Sequence, residues 1–194
     1  MSVSEAPASI VRTLDGQELP VAGRYAIDAS HTEVVAIARH LMFTKVRALF
    51  PEVSGHVVIA EDPTQSSAQV EIAVASVESR DAGRDEHLRS ADFFDVENHP
   101  TIVFASTGLR RDGGDWKLDG DLTVRGTTRS VTLDVEYLGA VTDPWGGQRI
   151  AFTASTEVDR EDFGLTWNVA LETGGVLVGK KITLEIDTEL VFEG

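Results

Sequence analysis

The sequence predicts an all-β protein: an antiparallel barrel of about eight strands with one short helical crossing. Apolar and polar residues alternate through one segment after another, glycine-centred turn signals separate the segments, and a single stretch carries good helix signals. At 194 residues, with 42% hydrophobic side chains, the chain fits one globular domain.

Taken in order, residues 1–22 read as a polar arm in which Asp15-Gly16 is a turn signal between short apolar pieces, and 23–194 as the domain. In Val34-Val-Ala-Ile-Ala-Arg-His40 the period of two puts Val34, Ala36, Ala38 and His40 on one face of a strand. Val70–Val74, Ile102–Ser106, Lys117–Val124 and Phe152–Val158 keep the same period more loosely. Val131–Tyr137 keeps it without a fault, and Ile182–Phe192 keeps it except at Thr188 and Val191. Gly113-Gly114, Gly126-Thr127-Thr128, Pro144–Gly147 and Gly174-Gly175 separate strands, as hairpins require. Asp81 to Arg89, acidic at its start and basic at its end, is the helix, followed by a shorter turn begun by Ser90.

The crossing from Glu86 to Phe104 carries three of the eight phenylalanines, Phe93, Phe94 and Phe104, and is expected to fold over one end of the barrel. Composition alone reads these rings first as a plug for an ordinary core. Whether an eight-stranded interior is filled or holds one small ligand is the functional question.

Thirty-two acids against seventeen bases give a formal charge of −15, which argues against nucleic acid or an anionic membrane surface as a partner. With no cysteine there is neither disulfide nor thiol chemistry. The opening residues lack the pattern of a secretory signal, so a cytoplasmic location is expected, and no apolar run approaches the roughly 18 residues of a membrane span.

No nucleophile elbow, Walker loop, dinucleotide fingerprint or zinc-protease motif is present, and the five histidines lack short metal-ligand spacing. Arg84-Asp85-Glu86-His87 offers acid, base and charge, but a solvated helix face laced with ion pairs has the same sequence. Arg160–Asn168 reads equally as a turn in which Phe163 and Trp167 finish the core and Asp162 caps or pairs locally, or as the polar rim of a pocket.

Several segments together resemble the YceI-like family of polyisoprenoid-binding, lipocalin-like barrel proteins. They are Ile27–Thr32, His40, Val46–Phe50, Val53–Gly55, Arg84–Leu88, Phe93–Asp95, Pro100–Phe104, Gly120–Gly126 and Asp162–Gly164, in the family's order from about Tyr25 to Leu190. The resemblance implies an eight-stranded antiparallel barrel, commonly a homodimer, whose apolar interior holds a long isoprenoid or related lipid, without catalysis and with no cofactor beyond that lipid. It turns the Val34–His40 face inward and places the crossing's aromatics at the end of a lipid channel. On this reading the ligand-binding residues are expected to be Ala36, Ala38, His40, Phe43, Phe50, Arg84, Phe93, Phe94, Phe104, Phe152, Phe163 and Trp167. Ala36 stands where the family usually has an aromatic, which widens the cavity; Ala91 replaces a common proline, and Lys180-Lys181 stand where acids are usual.

Because a diphosphate would need a convergent basic cluster, which the sequence does not show, a neutral isoprenoid quinone is slightly favoured over a polyprenyl phosphate. Two other readings stay open: an enzyme acting on a lipid or small molecule through His87, Asp85 and His40, and a stress-linked interaction module with a filled barrel.

Overall fold

The computed structural model describes residues 10–14, 16–172 and 174–194. Its strands are β1 (Val11–Leu14), β2 (Gln17–Pro20), β3 (Gly23–His40), β4 (Thr44–Leu49), β5 (Val53–Ile59), β6 (Ser67–Ala73), β7 (Thr101–Asp112), β8 (Asp115–Val124), β9 (Thr127–Thr142), β10 (Gln148–Asp159) and β11 (Val178–Phe192). A single α-helix among the described residues, α1 (Ala82–Arg89), sits between β6 and β7. β3 pairs with β5, each strand from β5 pairs with the next through to β11, and β11 returns to β3, closing an antiparallel barrel of eight strands. β4 lies on the same side of β3 as β5: β5 pairs with Gly23 to Ala26, and β4 with Val35 to His40. Pro51, which has no N–H to give a ladder, lies at the break between them.

Local chemistry sets the turns and faults. At the β8–β9 hairpin Arg125 and Gly126 both take positive φ, 48° and 71°, the pair that a two-residue turn matching strand twist requires. The alternation fault near the end of the chain is a shift of register between β11 and β3, between Thr188 and Leu190. Within that step the hydroxyls of Thr32 and Thr188 hydrogen-bond at 2.8 Å.

The barrel has two ends. At the lower one, β1 and β2 pair as a hairpin, so part of the expected arm is ordered strand; residues 1–9 and Asp15 lie outside the described residues. The Val21 N–H donates to the Ile10 carbonyl at 2.8 Å, and Ile10 packs with Tyr25, Ile150 and Leu190 to fill this end. Tyr25 is fully buried, its hydroxyl donates to the Val21 carbonyl at 2.9 Å, and its ring lies 5.0 Å from that of Phe192. Burial, with a smaller contribution from Tyr137, pushes the Tyr25 phenol up from 10.0 to about 12. The folded state therefore holds this proton more tightly than the unfolded chain. The resulting stabilisation is complete below about pH 10 and is lost as pH rises towards 12. Alkaline unfolding followed by circular dichroism is expected to show that loss, and Tyr25→Phe to remove it; an unchanged alkaline profile in the variant would contradict the assignment.

At the upper end a larger cluster gathers around Phe50, Val74, Val77, Phe93 and Phe163. Two connections cross this end: residues 77–100, which include α1, and, between β10 and β11, residues 160–172 and 174–177.

Candidate functional site

A cavity of about 500 Å³ occupies the upper half of the barrel, a size within the range of small-molecule sites. Its room comes from small side chains on adjacent strands. Ala36 stands between Ala48 of β4 and Leu184 of β11, and Ala38 between Val46 and Ile182. The rest of the wall includes Phe50, Ile72, Ile102, Leu122, Val124 and Val158. A second cleft of about 650 Å³ at the lower end is lined by Glu18, Asp115, Lys117 and Asp134 among others, and this charged wall is unsuited to an apolar chain.

The roof is pinned down by charge. Asp81 caps α1, its carboxylate accepting the Arg84 N–H at 2.8 Å. The Arg84 guanidinium donates to the Ser79 hydroxyl at 2.7 Å and to the Ser79 carbonyl at 2.6 Å. The Ser79 N–H donates to Asp85 at 2.7 Å, and its hydroxyl donates to the same carboxylate. Arg89 donates to the carbonyls of Ala75 and Val77 at 2.8 and 2.7 Å. Most of the charge in this run is thus spent folding the crossing on itself, and Arg89 alone reaches back to the Ala75 carbonyl just before it.

Aromatic packing completes the roof. His87 lies edge-on to Phe93 at 5.0 Å and to Trp167 at 4.6 Å, its Nε2 is 3.0 Å from Asp92, and Phe93 meets Trp167 at 5.2 Å. Phe94 stands edge-on to Phe50 at 5.8 Å. From the β8–β9 turn, Arg125 donates to the Ala91 carbonyl at 2.8 Å and to the Gly164 carbonyl at 3.0 Å, tying the two connections together.

The second connection opens with a 3₁₀ turn, Arg160–Phe163, whose cap is Asp159, not Asp162: the Asp159 carboxylate accepts the Glu161 N–H at 2.9 Å. Gly164 ends the turn at φ 77°, a left-handed conformation that favours glycine. Arg160 is 4% exposed and lines the cavity. Its Nε donates to the Gly179 carbonyl at 3.0 Å and its Nη1 to the Leu165 carbonyl, whereas Nη2 is buried with no hydrogen-bond partner. Burial pushes the Arg160 pKa down, although an arginine stays charged in any case.

Of the residues expected at the ligand, Ala36, Ala38, His40, Phe50, Arg84, Phe93, Phe94, Phe163 and Trp167 line this cavity. Three lie elsewhere. Phe43 sits in the β3–β4 turn and is 83% exposed. Phe104 is buried in the core with its ring laid over Gly120, where an added Cβ would fall 2.4 Å from it. Phe152 belongs to the lower cluster, 5.3 Å from Tyr137. Ala48 and Arg160 are cavity residues absent from the expected set. Alternation through Val46, Ala48 and Phe50 signals the first, and the second opens the Arg160–Asn168 segment, which the sequence left open between a core-finishing turn and the polar rim of a pocket. Of the groups named for catalysis, His40 and His87 border the cavity, while Asp85 is engaged with Ser79 and does not line it.

A closed antiparallel barrel around an apolar cavity, roofed at one end, defines the lipocalin-like class. The YceI-like domain family matches residues 25–190, and the chain belongs to that family. Protein YceI of Escherichia coli is 36% identical over 148 residues, covering 75% of this chain and 78% of its own length. The crystal structure of a Campylobacter jejuni YceI protein superposes with a TM-score of 0.68 at 25% identity, over 80% of this chain and 90% of that one. A domain from Saccharophagus degradans described as polyisoprenoid-binding shares the fold, with a TM-score of 0.63 at 14% identity over 87% and 98% of the two chains.

Proposed function

We propose that this protein binds a long-chain isoprenoid lipid, a polyprenol, polyprenyl phosphate or isoprenoid quinone, in the upper cavity, and so sequesters or transports it, as a homodimer and without catalysis. The observation that carries this reading is the cavity itself, whose walls are aliphatic and aromatic around small residues at 36, 38 and 48. The polyisoprenoid-binding description of the Saccharophagus degradans domain supports it. Each methylene buried contributes about 0.8 kcal/mol, so a prenyl chain has ample driving force even after the cost of ordering its tail. One methylene more or less therefore changes affinity only about fourfold, so chain-length selectivity should be soft and the head group should set identity.

Organic extraction of protein purified without detergent, followed by mass spectrometry, is expected to yield an isoprenoid or acyl lipid at up to one per chain. Lipid-free extracts together with failure to take up added polyprenol or quinone would overturn the proposal. No helix among the described residues is long and apolar enough to cross a membrane.

A further inference from the structure

We infer that the β3–β4 turn is a docking tip: Leu41, Met42 and Phe43 enter the surface of a phospholipid bilayer and bring the upper end of the cavity to it. The inference draws on the lipid-binding reading and names the surface with which the cavity exchanges its ligand. Leu41 to Phe43 are three exposed apolar side chains in a row, Met42 at 60% and Phe43 at 83%. Leu41 and Met42 also hold positive φ, 51° and 65°, a region that large side chains seldom adopt. Exposure and strain at the same residues bring the fold nothing, and strain of this kind collects at functional segments. A neighbouring loop enlarges the tip. The Leu41 N–H donates to the Leu177 carbonyl at 2.9 Å, and the Leu177 N–H donates to the carbonyl of Val169, itself exposed, at 3.0 Å.

Position and charge identify the surface. Arg39 and His40, which run into the turn, line the cavity, as do Leu177 and Val178 on the neighbouring loop. Arg39 and Lys45 stand opposite one another on β3 and β4 at the base of the turn, and among the described residues neither is in an ion pair. A bilayer offers an apolar layer with phosphates just above it, so these long cations meet phosphate oxygens when the turn is buried. Val141 and Trp145 are exposed at the lower end, but in acidic surroundings. Arg149, the cross-strand neighbour of Val141, is ringed by Asp28, Asp143 and Glu189, and the Trp145 N–H donates to Asp143. Those carboxylates would face the phosphates, so the lower end is the wrong one to dock. The acidic balance of the whole chain leaves insertion of the tip, and not general charge, to supply the affinity.

Flotation with phosphatidylcholine vesicles tests the docking. Wild type is expected to float with the vesicles, the double variant Met42→Ser with Phe43→Ser to partition at least about 10-fold less, and Trp145→Ser to partition as wild type does. Because the chain has no cysteine, Thr44→Cys takes an environment-sensitive fluorophore at the tip alone, and its emission is expected to shift to the blue when vesicles are added. No flotation of wild type, equal flotation of the double variant, or loss of flotation in Trp145→Ser would overturn the inference. So would a blue shift that follows protein concentration without vesicles, which gives the tip to a second copy. Uptake of polyprenol from solution is measured separately and is expected to be unchanged in the double variant, whose altered side chains do not line the cavity. Failure of that uptake in wild type would remove the lipid reading, while flotation still decides the tip.

Discussion

Ala36→Phe is expected to give a folded protein that binds long-chain lipid about a hundredfold more weakly. Ala36 lines the cavity between Ala48 and Leu184, so a ring added there enters space that a ligand chain would otherwise fill. Displacing about four methylenes of ligand removes about 3 kcal/mol of binding, which is about two decades in Kd. Because the ring enters open volume, the strain on the barrel should be at most about 1–3 kcal/mol. Unchanged lipid binding by a well-folded variant would mean that the chain runs elsewhere.

Phe93→Ala is expected to lower stability by about 3–5 kcal/mol, the usual cost of deleting a buried phenyl ring. Phe93 is 7% exposed and packs on both His87 and Trp167, so its loss leaves a void where the two connections of the roof meet. For a domain of this size the midpoint of thermal unfolding should fall by roughly 6–20 °C. A drop smaller than about 3 °C would show that the roof does not depend on this contact.

Much of the fold was legible because a strand with one buried face has to alternate. Even the fault at Thr188 marked a real step in register. Alternation reports which face a side chain occupies, however, and not its height along the barrel axis. Phe152 shows the difference: it stands near the start of β10, beside Tyr137 in the lower cluster, whereas Val158, near the other end of the same strand, lines the cavity. On β3 the pattern was ambiguous for another reason. Val35 and Ile37, on the face opposite Ala36, are also buried, and Arg47 and Glu185 pair across that outer face at 2.8 Å. Family resemblance, and not periodicity, chose the inward side.

The site was less legible than the fold. Phe43 was expected at the ligand, but it falls in the β3–β4 turn, where Leu41 and Met42 take positive φ and the ring faces solvent. Phe104 was expected there too, but its ring settles over the notch left by Gly120, a tertiary contact that local sequence does not announce. Arg160 follows a strand and precedes two acids, the setting of an ordinary surface cation. Only the folded chain shows it buried with one nitrogen unpartnered.

The central claim, that an isoprenoid chain lies in the cavity under the crossing, is most directly tested by photo-cross-linking with a diazirine-bearing prenyl probe and peptide mapping. Saturable labelling is expected on the peptides that carry Ala36 to His40 and His87 to Phe94, competed away by unlabelled polyprenol and weakened in Ala36→Phe. Labelling confined to the charged lower cleft around Glu18 and Asp134, or labelling that neither saturates nor is competed, would contradict it.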